Sequence, residues 1–286
     1  VATLFVVGTP IGNLDDLTLR AAETLRHVPH VAAEDTRRTR ALLSHLGVHG
    51  RALHTLDAHA SDRVVAGVVA RLVAGEDVAL VTDAGMPAVS DPGARLVAAA
   101  AAAGVAVRVV PGPSALTAAV AVSGLVDGPF WFAGFLPRKG GKRRDVLERI
   151  ARSSEPVVLF ESPQRTAGAL VDLAARQPAR PAAVCRELTK VHETIERGAL
   201  AELAARTEWR GEVVIVLGPG APAPAPACTD DAEVRVAVRR RLARGESVRE
   251  VAAALAAETG RPRRELYALA QAERDCANTP RPCSRR

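Results

Sequence analysis

Aromatic side chains are scarce: five Phe, two Trp and one Tyr make up 3% of the 286 residues. That excludes a protein whose main grip on nucleic acid is stacking bases on rings. Cysteine is nearly as rare. Cys185, Cys228, Cys276 and Cys283 show no C-x-x-C spacing, which excludes a zinc knuckle and a disulfide-stapled module and leaves reduced thiols. No apolar run approaches the ~18 residues of a membrane span, and the opening Val-Ala-Thr-Leu-Phe has no basic stretch before its apolar residues. A cytoplasmic protein without membrane association is expected. The chain also lacks G-x-G-x-x-G, the Lys-Ser/Thr of a P-loop, a G-x-S-x-G elbow and any His/Cys/carboxylate set at metal-ligand spacing. Dinucleotide binding, nucleotide hydrolysis, serine hydrolysis and a metal centre are thereby disfavoured.

What is present is a large apolar reserve. Hydrophobic residues reach 48%, mostly Ala, Val and Leu, enough at this length for two domains and an appendage. The net charge of +6 is unevenly placed: 13 Arg face 8 acidic residues from Asp231 to Arg286. A second basic cluster runs from Arg138 to Arg144. Both are footprints of a polyanion binder or of a solvated charged face.

From Ala2 to Pro111 apolar strands (LFVV, HVAAED, RALHTL, DVALVT, VAVRVV) alternate with helices near 17–26, 37–47, 62–73 and 94–103. This predicts a mainly parallel sheet covered by helices, with ligands at the carboxyl ends of its strands. A second unit follows, with strands at PFWFAG, PVVLFE, AAVCRE, HETIERG and EVVIVLG and helices near 142–151, 165–175 and Leu200. Gly218-PGAPAPAPA-Cys228 reads as an extended linker. Beyond it lie three helices, near 233–244, after a Ser247/Glu250 capping box, and at 263–273. The last two resemble a helix-turn-helix, and any three-helix cap has the same pattern.

The densest local specification is Leu80 to Gly93. An apolar strand empties there into a loop holding Asp83, Asp91, Gly85, Gly93, Pro87 and Pro92, which is more than a connection needs and suits a ligand. Gly8-TPIGN, Pro111-GPSA and Glu161-SPQR repeat that grammar. Glu34 and Asp35 end the second strand, where they suit either a ribose hydroxyl or internal pairing with the following arginines.

The strings GTPIGNL, AEDTRRTR, DAGMPAVSDPG, PGPSA, GFLPRK, ESPQR and RELTKVHET, taken in order, resemble the tetrapyrrole (corrin/porphyrin) methylase superfamily. Within it they resemble the small-subunit (16S) ribosomal RNA cytidine 2′-O-methyltransferases, from Thr3 to Leu217 and again in the helical tail. The resemblance implies two α/β domains, 1–111 and 112–218, with S-adenosylmethionine bent in the cleft between them, a linker over 219–230, a basic helical domain over 231–286, and a homodimer. It carries cofactor contacts onto Pro10, Asp83, Ala84, Gly85, Ser90, Asp91, Pro111, Ser114, Ala115, Phe135, Glu161 and Leu188. Met86 stands where the family usually has Thr, Ala60 where Asn is common, and Phe160 and Gln164 replace Tyr and His.

The implied reaction moves a methyl group from the sulfonium to a cytidine 2′-hydroxyl in 16S ribosomal RNA, free or within the small subunit. Asp35, Glu161, Lys190 and Glu193 are the candidates for base or orienter, Lys190 requiring a depressed pKa for that task. Arg37, Arg38, Arg40, Arg138, Lys139, Lys142, Arg143 and Arg144 are candidates for phosphate contacts. Two rivals stand beside this reading: a small-molecule, precorrin-type methyltransferase, and a non-catalytic nucleic-acid-binding protein. The first shares fold and cofactor; the second leaves four elaborated loops idle.

Overall fold

The computed structural model describes residues 2–57, 60–220, 231–259 and 261–278. The chain divides into two units, Val1–Ala221 and Pro222–Arg286. Most of the expected linker, together with His59, Cys228 and Cys283, lies outside the described residues.

The first sheet contains β1 (Thr3–Val7), β2 (His30–Ala33), β3 (Ala52–Thr55), β4 (Val78–Val81) and β5 (Ala106–Val110) in the order β3-β2-β4-β1-β5. Every pairing is parallel. The crossovers are α1 (Leu19–His27), α2 (Thr36–His45), α3 (Asp62–Val73) and α4 (Ala94–Ala102). Helices on both faces explain why β2 and β4 are buried along their whole length, since a parallel strand has no solvent side. The start of α1 is set by Thr18, whose hydroxyl accepts from Ala21 N–H at 3.1 Å. A single 3-10 turn, Leu14–Asp16, occupies the chain just before it. Because β4 is inserted between β2 and β1, the loops after β1, β2 and β4 emerge together at one edge, the position where open α/β sheets bind ligands.

The second sheet joins β6 (Trp131–Phe135), β7 (Val157–Glu161), β8 (Pro181–Arg186), β9 (Thr194–Ala199) and β10 (Val213–Leu217) in the order β6-β7-β10-β8-β9. Only β6 and β7 are parallel; the other pairs are antiparallel. Val213, Ile215 and Leu217 of β10 pack with α6 (Gly141–Arg152), α7 (Pro163–Ala174) and α8 (Leu200–Ala204). Val214 and Val216 face the other way, toward Ile11 and Ala119. Ala119 belongs to α5 (Ala115–Ser123), a helix that the sequence expectations omit. Its residues are apolar all round, so it carries no 3.6-residue period to read.

Arg180 is 4% exposed and has no carboxylate partner among the described residues. Its guanidinium donates to Gly218 O (2.8 Å), Ile150 O (2.9 Å), Glu155 O (2.7 Å) and Gln177 Oε1 (2.8 Å). Burial lowers its pKa to about 10. Gly220 N–H adds a bond to Ser154 O at 3.1 Å. The end of the first unit is therefore pinned by main-chain carbonyls.

The second unit is a three-helix cluster of α9 (Asp231–Leu242), α10 (Val248–Thr259) and α11 (Arg263–Asn278). Val234, Val238, Val251, Leu255, Leu266 and Ala270 form its core. The capping box is present: Glu250 N–H donates to Ser247 Oγ at 3.3 Å, and Ser247 N–H donates to Glu250 Oε2 at 2.9 Å. Helix α11 runs five residues past the expected end. Among the described residues no helix is long and apolar enough to cross a membrane, and none forms a three-ligand metal cluster.

Candidate active site

A cavity of about 380 Å³ opens at the carboxyl ends of the first sheet and reaches the second. Nine of the twelve residues expected to contact a cofactor stand in its wall: Asp83, Ala84, Gly85, Asp91, Ser114, Ala115, Phe135, Glu161 and Leu188. The other three do not. Pro10 lines an adjoining hollow of about 260 Å³ with Thr9, Arg38 and Asp83. Ser90 lines another of about 400 Å³, which shares Glu34 and Asp91 with the first. Pro111 is exposed.

Backbone chemistry fixes the wall. Thr9 and Gly85 exchange N–H···O bonds of 2.9 and 3.1 Å, Thr9 Oγ1 donates to Thr82 O at 3.1 Å, and Gly8 N–H donates to Val110 O at 3.0 Å. A Cβ on Gly8 would lie 2.7 Å from Gly112 Cα and from Met86 Sδ, so the turns after β1 and β5 meet main chain to main chain. Four non-glycine residues have positive φ among the described residues: Ala88, Ser90, Glu187 and Thr189. All lie in two of the loops marked by sequence. Such conformations cost roughly 1–3 kcal/mol each and persist where surrounding contacts enforce them.

The cavity is acidic. Glu34, Asp83, Asp91, Glu161 and Glu212 line it, with Arg38 as the single basic residue. Thr82 Oγ1 donates to Glu34 Oε2 at 2.9 Å. Asp83 Oδ1 accepts from Asp35 N–H at 3.0 Å, and its Oδ2 lies 3.5 Å from Arg38 Nε. Burial, and after it the Glu34 charge, pushes Asp91 up to about 6 against the hydrogen bond from Thr82, with a smaller push from Asp83. Burial likewise pushes the Cys185 thiol in the wall up to about 11, so it is neutral at pH 7.

The four candidate bases separate. Glu161 alone is in the wall, with its side chain fully buried. Its Oε1 accepts from Ser162 N–H at 2.9 Å. Oε2 lies 3.1 Å from Arg165 Nη2 yet makes no hydrogen bond, because the guanidinium is turned toward Leu136 O. Asp35 instead caps α2, accepting from Arg37 N–H at 2.8 Å and from the Arg37 guanidinium at 3.1 and 2.7 Å. Those bonds hold its carboxyl near a pKa of about 2. Glu193 closes a turn by accepting from Thr189 N–H at 2.6 Å. Lys190 pairs with Glu187 at 3.0 Å and Glu212 at 3.2 Å. Partial burial lowers its pKa, but those two carboxylates outweigh it and the net direction is up, opposite to what a base at neutral pH requires. Its stem packs on Gly12, where a Cβ would come within 2.5 Å of Lys190 Cγ.

The basic candidates separate too. Arg40, Arg138, Lys139, Lys142 and Arg144 are exposed. Arg37 is bound to Asp35, and Arg38 belongs to the cavity wall. Arg143 is committed elsewhere, donating to Asp172 Oδ2 at 3.0 and 2.8 Å and to Pro137 O at 3.0 Å. Sequence reasoning missed, among others, Val89, Cys185, Glu212, Val213 and Val214 in the wall. The apolar ones look like any core residue, and Glu212 like any surface acid.

Three comparisons bear on this geometry. The model of the Tetrapyrrole (Corrin/Porphyrin) Methylases matches residues 3–204. Ribosomal RNA small subunit methyltransferase I of Xylella fastidiosa is 45% identical over 93% of this chain and 97% of that protein. The protein of the same description from Thermotoga maritima is 43% identical over 217 residues, 75% of this chain and 97% of its own length, which leaves that relative too short for a further unit like the three-helix cluster. Among solved structures, uroporphyrin-III C-methyl transferase from Thermus thermophilus, complexed with S-adenyl homocysteine, superposes with a TM-score of 0.56 at 23% identity, covering 76% of this chain and 97% of that one. At that identity it speaks for the fold alone.

Proposed function

On the premise that the chain belongs to the tetrapyrrole (corrin/porphyrin) methylase family, we propose that it methylates the 2′-hydroxyl of a cytidine in the decoding region of 16S ribosomal RNA. It is an S-adenosylmethionine-dependent methyltransferase acting on ribosomal RNA. The observation that carries the finer reading is the charge pattern of one cleft. Carboxylates outnumber the lone Arg38 in the interior, while Arg37 and Arg40 stand beside it on the same helix. An anionic interior suits a cationic methyl donor and keeps phosphates at the rim.

The wall fits that cofactor. Ile11, Val89, Phe135 and Leu188 offer apolar surface for adenine, and the Ala84-Gly85 and Ser114-Ala115 turns offer backbone groups. The carboxylates of Asp83 and Asp91 suit its positive charges. When bound, the cofactor supplies a methyl group already activated on sulfur. The chain must align the hydroxyl and hold its proton. Alignment contributes ~7–11 kcal/mol in favourable cases, and a positioned base about 10²–10⁴-fold. We assign the proton to Glu161 Oε2, a buried carboxylate oxygen without a hydrogen bond on a residue of the cavity wall.

The working form is a homodimer. Supporting this, Val107 and Val109 are 36% and 58% exposed on the edge strand β5, and the apolar helix α5 buries only Ala119 and Ser123. Edge strands of lone monomers are protected by charge, proline or covering segments; β5 carries one charge, the exposed Arg108, which alternates to the face opposite Val107 and Val109.

The test is transfer of labelled methyl from S-adenosylmethionine to small subunits lacking their native methylation, followed by nucleoside analysis. Label in 2′-O-methylcytidine supports the reading. Cofactor binding without label in RNA would favour the small-molecule tetrapyrrole reading, which shares the fold.

A further inference from the structure

The methyl-transfer chemistry makes no use of the three-helix unit, and the shorter Thermotoga maritima relative has no room for one. Yet its charge is sorted. Arg235 and Arg239 close on Glu273, Arg241 on Glu246 and Glu258, and Arg261 on Asp231 and Glu265. Arg240, Arg244 and Arg249 are exposed without a carboxylate among the described residues, and so are Arg263 and Arg264, which alone of these are neighbours in sequence. On an α-helix Arg263, Tyr267 and Arg274 project within about 40° of one another, with Arg264 and Gln271 alongside. Tyr267 is 46% exposed. Leu266, Ala270 and Glu273 form the adjoining buried stripe, on the side of Arg263 away from Tyr267 and Arg264.

Two features make this face more than a solvated one. Arg263 and Arg264 occupy the first turn of a 16-residue helix, where the macrodipole favours acids and disfavours cations. Tyr267 is the only tyrosine in the chain, and its ring is left out of the core, available to stack on a base. Helix α11 also follows α10 after three residues, the connection of a helix-turn-helix, whose second helix presents its N-terminal residues to nucleic acid.

We propose that the Arg263/Arg264/Tyr267 face of α11 is a second RNA-docking surface, which raises affinity for the ribosomal RNA substrate without entering the chemistry. The proposal rests on the ribosomal RNA reading above. Two tethered contacts, one on each unit, would multiply affinity through effective concentration.

The experiment compares the full-length protein with its Arg263→Glu/Arg264→Glu double variant and the Arg263→Lys/Arg264→Lys variant. Binding to a 16S transcript is measured without cofactor across a salt series, alongside steady-state methylation of unmodified subunits and thermal melting. The charge-reversed protein is expected to bind RNA roughly ten-fold or more weakly, with a salt slope shallower by about two. KM for RNA rises while kcat and cofactor affinity hold, and melting is no lower because acids suit that helix end. The lysine variant should recover most of the affinity. Unchanged RNA affinity and salt slope in a folded variant would overturn the proposal. So would a defect confined to assembled subunits and absent on the bare transcript, since the face would then meet a protein. If the wild-type protein methylates no ribosomal RNA, the substrate reading fails instead, and that failure is visible without either variant.

Discussion

The main-chain N–H of Asp35 donates to the Asp83 carboxylate at 3.0 Å, joining the loop after β2 to the loop after β4. Asp83 is thereby turned into the cavity and partly balanced by Arg38. Asp35 is left as a helix cap held by Arg37. Two adjacent acidic loops divide their labour, and the variants below separate building from chemistry.

Replacing Glu161 with Gln preserves shape and removes the only candidate base in the wall. Methyl transfer under single-turnover conditions should slow about 10²–10⁴-fold. Cofactor affinity by calorimetry should change far less. A variant with near-normal turnover would remove Glu161 from the proton path.

Lys190→Gln tests the opposite assignment. With its pKa raised by Glu187 and Glu212, Lys190 holds a proton throughout the physiological range. The variant should lower the melting temperature and leave the shape of the pH–rate profile unchanged. A lost alkaline limb would identify it as a titrating group in the reaction.

Asp91 should make cofactor binding depend on pH. Its folded pKa of about 6 lies above the ~3.9 of an unfolded aspartate, so the folded chain binds the extra proton. Its contribution to stability is complete below about pH 4 and is lost as pH rises through about 6. A cationic ligand favours the ionised form, so affinity for S-adenosylmethionine should rise through the same window. Affinity for S-adenosylhomocysteine, which lacks the sulfonium charge, should rise less. Titration calorimetry from pH 5 to 8 checks this, and Asp91→Asn should flatten the difference; a difference that persists in Asp91→Asn would remove Asp91 from the effect.

Val109→Glu places a charge on the exposed edge strand. Under the homodimer proposal, light scattering after gel filtration should register a dimer for the unaltered chain and a monomer for the variant. An unaltered mass would move the interface away from β5.

The loops were legible because their demands are local. A run such as Asp83-Ala-Gly-Met-Pro states its turns in its own residues, and it duly lies at the cavity. Contacts set by distant partners were not. Arg143 and Arg144 are indistinguishable in sequence, yet only Arg143 meets Asp172 on the neighbouring helix. The raised pKa of Lys190 comes from nearby Glu187 and, in part, from Glu212, far along the chain. Helix α5 was hidden by uniform apolarity, and Val213 and Val214 line the cavity only because the start of β10 is brought to its wall by pairing with β7 and β8.

The carbonyls gathered by Arg180 have a bearing on biosynthesis. Ile150, Glu155 and Gly218 are bound within the first unit, so this knot needs nothing encoded after Gly220. At ~5–20 residues per second of elongation, the catalytic unit has roughly seconds to settle before the arginine-rich tail is complete. A nascent chain can therefore bury its apolar sheets before exposing its strongest attraction for the RNA of the machine that is making it.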